Sequence, residues 1–407
     1  MRYDLIVIGM GLSGLMAAKT AVQAGAKVLV VGKGTGGLCL FTSAVDVMGL
    51  LPEGAAMDRE LPRWIERHPD HPYAKMGWEG IREALDAFAA LFPPPYDFAP
   101  TGEGNGFFPT GVGTKRPAYL VPATMRKACR LQEDRTLLVG FQGFRDFYAE
   151  YAAAGLGCRG ENLTLPEIAG RNNSATSLAR LLEMPFFREQ VSAEIVRRLR
   201  GETCVGFPAL LGLRNPMEIL EDLECRTKVS VFEIPILPPS IPGMRIFNRF
   251  RQVLIAEGAT FLLGSPVGKI LRENKTCKAV EILHPPVTST YEADRFILAT
   301  GRFMGGGLSA DEETVRETLL DLPLMAGIPR EFWFERDFLG GKPHTVHKIG
   351  VRTDGDLRPL DEGGDPAFEN LWAAGTILSG QCWIDEKSRE GIELATGYRA
   401  ARKALAS

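Results

Sequence analysis

Three glycines near the start of the chain, Gly9, Gly11 and Gly14, have the spacing GxGxxG and sit between an apolar run and a helix-like run. Their chemistry is anion binding through the backbone. The first glycine of such a turn permits a tight bend off a strand. The second lets a pyrophosphate approach the main chain, and the third lets the helix pack closely on the sheet. The N–H groups of Leu12 and Ser13 would then face a phosphate at the positive end of the helix. The spacing alone is weakly specific, but the apolar runs at residues 4–8 and 27–31 supply the strand on either side that the role requires.

The end of the second run departs from the dinucleotide pattern. An acidic residue about 20 positions past the glycines ordinarily grips a ribose hydroxyl. Here the tip reads Val31-Gly32-Lys33, and the first acid after it is Asp46. NAD is therefore disfavoured, and FMN is expected ahead of FAD. Lys33 reads either as a partner for an anionic group or as a solvated charge, and Gly37 closes a second glycine turn. Two later apolar runs end in the same way, one at Ala299-Thr300-Gly301 and one at Ala373-Ala374-Gly375-Thr376. Flavoproteins commonly need a backbone free of side chains at such strand ends. The expected cofactor-binding set is Gly9, Gly11, Leu12, Ser13, Gly14, Lys33, Gly37, Thr300, Gly301, Gly375 and Thr376.

If the turn holds a flavin, an anionic substrate would need cations to hold it and a base for any proton it gives up. Lys115, Arg116 and Arg245 lie beside Gly/Pro-rich loops and are candidates to hold a substrate phosphate, Arg by bidentate contacts and Lys as a point charge. Each reads equally as a solvated cation or part of an interface with a partner. Arg302, directly after Gly301, either approaches the flavin or braces the turn. No histidine stands out as a base, so the catalytic residue stays unassigned. The seven cysteines are scattered, with no CxxC pair or cluster-type run. His344 and His347 are three apart in a Gly/Pro-flanked segment that reads as local packing, and no metal site is expected.

The elements that must position these groups are legible in outline. The 407 residues suit two or three domains, and the net charge of −3 gives no nucleic-acid footprint. No run of 18 apolar residues offers a membrane-spanning helix. The apolar start reads as a strand of the nucleotide fold and not as a signal segment, and scattered cysteines suit reduced thiols in the cytoplasm. Strand patterns fall at residues 136–141 and 229–236, helix patterns at 146–154, 178–199 and 246–256, a strand meander at 260–293, and a closing helix at 391–406. The expected fold class is α/β, a Rossmann-like flavin-binding domain split in sequence by an inserted α+β domain for a substrate or partner. The flavin-binding domain is assigned residues 1–50, 240–310 and 345–407; the insert is assigned 51–239 and 311–344.

Beyond the glycine turn, several stretches resemble one family nearly end to end. They are Leu138-Val139-Gly140-Phe141-Gln142-Gly143-Phe144-Arg145-Asp146-Phe147, Arg171-Asn172-Asn173, and Leu237-Pro238-Pro239-Ser240-Ile241-Pro242-Gly243-Met244-Arg245. Others are Leu298-Ala299-Thr300-Gly301 with Gly305-Gly306-Gly307-Leu308, Gly350-Val351-Arg352-Thr353-Asp354, and Glu369-Asn370-Leu371-Trp372-Ala373-Ala374-Gly375. The chain resembles the B subunit of anaerobic glycerol-3-phosphate dehydrogenase. The resemblance implies FMN in place of FAD and a complex that oxidises sn-glycerol 3-phosphate to dihydroxyacetone phosphate, with electrons passed to quinone. It also implies two partners, an FAD-containing A subunit and an iron–sulfur C subunit that anchors the complex at the inner face of the cell membrane. One segment departs: where the family carries a glycine cluster, this chain has Gln381-Cys382-Trp383-Ile384-Asp385-Glu386-Lys387-Ser388-Arg389-Glu390-Gly391. Two other readings stay open, a self-sufficient FAD oxidoreductase acting on another small anion and a flavin-free scaffold.

Overall fold

The computed structural model describes residues 2–131, 135–284, 286–325, 328–338 and 340–407. The chain divides into two compact units. One comprises Met1–Gly37, Ala56–Leu91 and Arg249–Ser407, the other Leu38–Ala55 and Phe92–Asn248. The first unit thus takes in 56–91 and 311–344, both assigned to the insert on sequence grounds. Helix Gly77–Ala89 shows why for the former: it buries Trp78, Ile81, Leu85 and Phe88 and packs on the closing helix Arg389–Ala406 of the same unit.

The first unit is built on a seven-stranded sheet. Its order is Thr260–Leu263, β2 (Val28–Gly32), β1 (Arg2–Ile8), Val287–Leu298, Thr276–His284 and Val267–Glu273, with Leu371–Ala373 also pairing with Val287–Leu298. Strands Thr260–Leu263, β2, β1, Val287–Leu298 and Leu371–Ala373 run parallel, whereas the last two form an antiparallel meander. A parallel strand covered on both faces is apolar throughout, and Leu5, Ile6 and Val7 are fully buried accordingly. The twelve-residue strand Val287–Leu298 serves both halves: its start pairs with the meander and its end with β1. The sequence pattern splits it in two.

Helix α1 (Leu12–Gln23) follows β1 and packs against the closing helix. Their approach is close enough that a β-carbon on Gly397 would overlap the carbonyl oxygen of Ser13. Glycine at 397 is therefore what permits the two helices to pack at the depth they do.

The second unit has a four-stranded sheet in the order Ser230–Ile234, Cys204–Pro208, Thr136–Phe141 and Arg159–Leu163, all parallel. Helices Ala149–Leu156 and Pro216–Thr227 are crossovers between neighbouring strands, so this sheet is a second small α/β layer. The antiparallel pairs Phe98–Pro100 with Leu120–Pro122, and Gly106–Pro109 with Lys115–Ala118, belong to the same unit. Phe141, Phe187, Phe207 and Phe232 fill its core.

Candidate functional site

The turn from β1 into α1 is shaped by contacts that only glycine allows. Gly9 has φ +121°, and a β-carbon there would overlap the carbonyl oxygen of Ala299. One on Gly14 would overlap the carbonyl oxygen of Gly9. Gly11 differs: a β-carbon there would meet nothing within 4 Å. Two glycines are thus taken up with packing the turn, and the third stands beside open space. Gly11 is also the N-cap of α1, with extended backbone and no side-chain cap. The first N–H groups of a helix have no partner within the helix, so Leu12, Ser13 and Gly14 present donors and a positive dipole end at that opening.

Three further segments of the same unit close around it. The turn after β2 folds onto it through Gly36, at φ +56°, where a β-carbon would stand 2.8 Å from the Cα of Gly11. Gly37 lies beside Arg389; a β-carbon there would be 3.8 Å from its guanidinium. Gly375 has φ +84°, donates its N–H to Thr396 Oγ1 at 2.8 Å, and leaves no room for a β-carbon beside Ser13 Oγ. At the end of strand Val287–Leu298, Ala299 donates to the carbonyl of Ile8 at 2.8 Å. Gly301 then turns the chain at φ +69°, and Gly305 and Gly307 pack directly on the carbonyls of Thr300 and Gly301.

Arg302 locks this arrangement. Its Nε donates to the carbonyl of Thr376 at 2.7 Å, and its terminal nitrogens donate to the carbonyls of His347, Leu378 and Gln381. Among the described residues this guanidinium is held by carbonyls and bonds no carboxylate, so it is costly to keep charged, and burial lowers its pKa to about 10. Arg302 therefore braces the turn. Gln381 adds a second brace, donating through Nε2 to the carbonyls of Gly375 at 3.2 Å and Leu378 at 3.1 Å.

The segment without the family's glycine cluster is fixed by polar contacts. Glu386 accepts from Cys382 N–H at 2.9 Å, from Ser388 Oγ at 3.3 Å, and from His71 Nε2 at 3.2 Å. The imidazole can donate there because its Nδ1 already accepts the N–H of Tyr73. These bonds hold the carboxylate below its usual range against the opposing effect of burial. On the first turns of the closing helix, Glu393 is buried and its pKa is pushed up to about 7 by desolvation, with Arg389 opposing.

The expected residues divide by unit. Gly9, Gly11, Leu12, Ser13, Gly14, Gly37, Thr300, Gly301, Gly375 and Thr376 all lie in the first unit, on the segments just described. Lys33 is exposed at the tip of β2, alongside Gly306, where a β-carbon would stand 2.8 Å from its Nζ. Lys115, Arg116 and Arg245 belong to the second unit. Lys115 is exposed, and Arg116 pairs with the buried Asp46 at 2.5 Å and donates to Thr42 Oγ1 at 3.3 Å. Arg245 corrects the expectation. It is buried, bidentate to Glu233 at 2.8 and 2.9 Å, and bonded through Nε to the carbonyl of Gly212 at 2.8 Å. All three of its nitrogens are engaged, which withdraws it from the phosphate-holding set.

Sequence reasoning missed Gly36, Gln381, Glu393 and Thr396, and left the role of Arg302 open. Gly36 stood one residue from the glycine that was chosen. The other three carried no local signal, because their place follows from the closing helix and the strand Leu371–Ala373 meeting α1.

The residues around the turn fit a flavin. The open space at Gly11, the uncapped start of α1, and two buried polar atoms with no hydrogen-bond partner among the described residues, Thr300 Oγ1 and Gln381 Oε1, suit a bound polar group. The FAD binding domain family matches residues 4–388. A protein of Halobacterium salinarum, named as a probable B subunit of anaerobic glycerol-3-phosphate dehydrogenase, is 32% identical over 98% of this chain and 97% of its own length. The chain belongs to the family of anaerobic glycerol-3-phosphate dehydrogenase B subunits. A B subunit of Vibrio cholerae is 27% identical over 100% of this chain and 97% of its own length. Among solved structures, the open conformation of a flavocytochrome c3 fumarate reductase is similar with a TM-score of 0.47 and 10% identity, over 99% of this chain and 79% of that one. As a member of the B-subunit family with a flavin-binding domain over nearly its whole length, the chain is a flavoprotein component of this dehydrogenase. Among the described residues no helix is long and apolar enough to cross a membrane.

Proposed function

We propose that this chain carries FMN in a multi-subunit dehydrogenase that oxidises sn-glycerol 3-phosphate to dihydroxyacetone phosphate and passes the electrons to quinone. The observation that carries the reading is the turn at Gly9–Gly14 in a chain whose relatives are named B subunits of that dehydrogenase. The helix start at Leu12, Ser13 and Gly14 holds the flavin phosphate. Thr300, Gly301, Gly375 and Thr376 would hold the rest of the flavin, with Arg302 bracing them through the Thr376 carbonyl. Lys33, where an acid would grip an FAD ribose, favours the mononucleotide. When bound, the flavin supplies two-electron acceptance and onward transfer of single electrons.

The family resemblance implies that electrons leave through an iron–sulfur partner, the C subunit, and that an FAD-containing partner, the A subunit, completes the enzyme; the scattered cysteines of this chain fit that division. Contact with the inner face of the membrane is made through the iron–sulfur partner. Lys115 and Arg116 of the second unit hold the substrate phosphate or a charged partner surface. Co-expression tests this reading. The purified chain alone is expected to oxidise little glycerol 3-phosphate, and addition of the FAD and iron–sulfur partners to restore dye-linked activity and sedimentation with membranes. Full turnover by the isolated chain, or membrane association without the iron–sulfur partner, contradicts it.

A further inference from the structure

The structure brings His347 to Cys382 and Asp385, which lie on one turn far along the sequence from it. A nitrogen of the His347 ring, Cys382 Sγ and an Asp385 carboxylate oxygen all lie within 4.8 Å of one another. We infer that His347, Cys382 and Asp385 form a binding site for one divalent cation of the zinc class, completed by water. Sequence spacing gives no hint of it, since His347 reads beside His344 and Cys382 comes 35 positions later.

The donor chemistry points to this class of metal. Imidazole nitrogen, thiolate sulfur and carboxylate oxygen are the three ligand types that zinc accepts, and three protein ligands leave one position of a tetrahedron open. A hard cation such as magnesium or calcium would not select sulfur. His347 has a ring nitrogen to spare: its Nδ1 is buried and has no hydrogen-bond partner among the described residues. His344 does not. Its Nδ1 accepts the N–H of Glu335 at 3.0 Å, which leaves Nε2–H to donate to the carbonyl of Phe338 at 3.0 Å. His344 instead packs edge-on against the His347 ring, with centroids 5.5 Å apart, and orients it.

The scaffold around the three is rigid. Cys382 and Asp385 lie on one turn, where Asp385 N–H donates to the carbonyl of Cys382 at 3.0 Å, and Glu386 caps the Cys382 N–H at 2.9 Å. Arg302 bonds the carbonyls of His347 and Gln381 and so ties the two segments together. Without a cation the thiol donates its proton to Asp385, with Sγ and Oδ2 2.6 Å apart. Binding replaces that proton: the S–H bond breaks, a metal–sulfur bond forms, and one proton is released to solvent, so affinity rises with pH.

The test uses the full chain, stripped with chelator and titrated with Zn²⁺, then with Co²⁺ as a spectroscopic probe. The expected result is one Zn²⁺ per chain, release of a proton, and a cobalt–thiolate charge-transfer band. Cys382→Ser abolishes the band, and Asp385→Asn and His347→Ala each weaken binding by more than about tenfold, beyond the lower end seen when only an outer partner of a metal ligand is lost. Cys225→Ser, at an exposed cysteine, leaves binding unchanged. Circular dichroism and thermal melting verify that each variant is folded, and Asp385→Asn, at a partly exposed position, carries the test if Cys382→Ser does not fold. No stoichiometric binding, a charge-transfer band that survives Cys382→Ser, or affinity that Asp385→Asn leaves intact would overturn the assignment and show adventitious binding only.

Discussion

Arg245 and Glu233 form a bidentate ion pair in the interior of the second unit, with nitrogen–oxygen distances of 2.8 and 2.9 Å and essentially no exposure of either side chain. One carboxylate oxygen has two donors, since Glu233 Oε1 also accepts the N–H of Leu211 at 2.8 Å. The guanidinium in turn lies over the ring of Tyr96, 5.8 Å from its centroid. The pair ties the helix Ile241–Ala256 at Arg245 to the strand Ser230–Ile234 at Glu233.

Removing one partner strands the other as an uncompensated buried charge, a loss of about 3–5 kcal/mol in such pairs. Arg245→Ala and Glu233→Ala are each expected to fall in that range by chemical denaturation. The double variant Arg245→Met with Glu233→Leu is expected to recover much of it. If Arg245→Ala instead leaves stability unchanged and weakens only substrate binding, the pair does not have this structural role.

Gly9 and Gly11 are expected to separate folding from cofactor binding. Gly9→Ala puts a β-carbon into the Ala299 carbonyl and forces a residue with a side chain to φ +121°, so it destabilises the fold as well as losing flavin. Gly11→Asp has room, with φ −71° that any residue adopts, and leaves the melting temperature of the flavin-free protein nearly unchanged. It nevertheless sets a carboxylate at the phosphate position, and flavin occupancy is expected to fall at least about tenfold, since like charge costs more than about 1.4 kcal/mol at such range. Absorbance of the purified variants against their melting curves decides the matter. Full yellow occupancy in Gly11→Asp would remove the phosphate from this turn.

Glu393 supplies a pH dependence of known sign. Its folded pKa is about 7 because it is buried, whereas in the unfolded chain it titrates near the ordinary glutamate value of 4.5. The folded state therefore binds the extra proton between those two values. Its contribution is most favourable below about pH 4.5 and is lost as pH rises through about 7, with an upper bound of about 3 kcal/mol. Glu393→Gln, which cannot ionise, is expected to stabilise the protein at about pH 8 and to change little at about pH 5. Melting curves at the two pH values check this, and equal effects at both would show that the carboxyl is not held neutral by burial.

Lys115 and Arg116, neighbours on one strand, are expected to behave differently. Arg116→Ala removes the ion pair it makes with Asp46, which is 2% exposed, and is expected to lower stability. Lys115→Ala, at an exposed position, leaves stability within about 0.5 kcal/mol. In the assembled complex it raises KM for glycerol 3-phosphate if this lysine meets the substrate phosphate. Unchanged KM would assign Lys115 to the solvated surface.

The glycine turn and its flanking strands were legible because close backbone contacts demand glycine at fixed spacing, and local sequence records that demand. Gly301 and Gly375 were legible for the same reason, each ending a buried strand. Arg245 was misread because the feature that decides its role, Glu233, is twelve positions away on another element and invisible to a pattern of loops and cations. The helix Gly77–Ala89 was assigned to the insert because its packing partner, the closing helix, lies some 300 residues further along the chain. Gln381 and Glu393 escaped for a related reason: burial determines the chemistry of both, and only the folded arrangement of the closing helix determines burial.

The most direct test of flavin binding at the Gly9–Gly14 turn is the visible spectrum of the purified full-length chain, followed by mass measurement of the cofactor released on heating. Flavin absorption bands and a released mass equal to that of FMN are expected. A mass containing adenine would contradict the mononucleotide reading of Lys33, and a colourless, folded protein that takes up no added flavin would contradict the site itself.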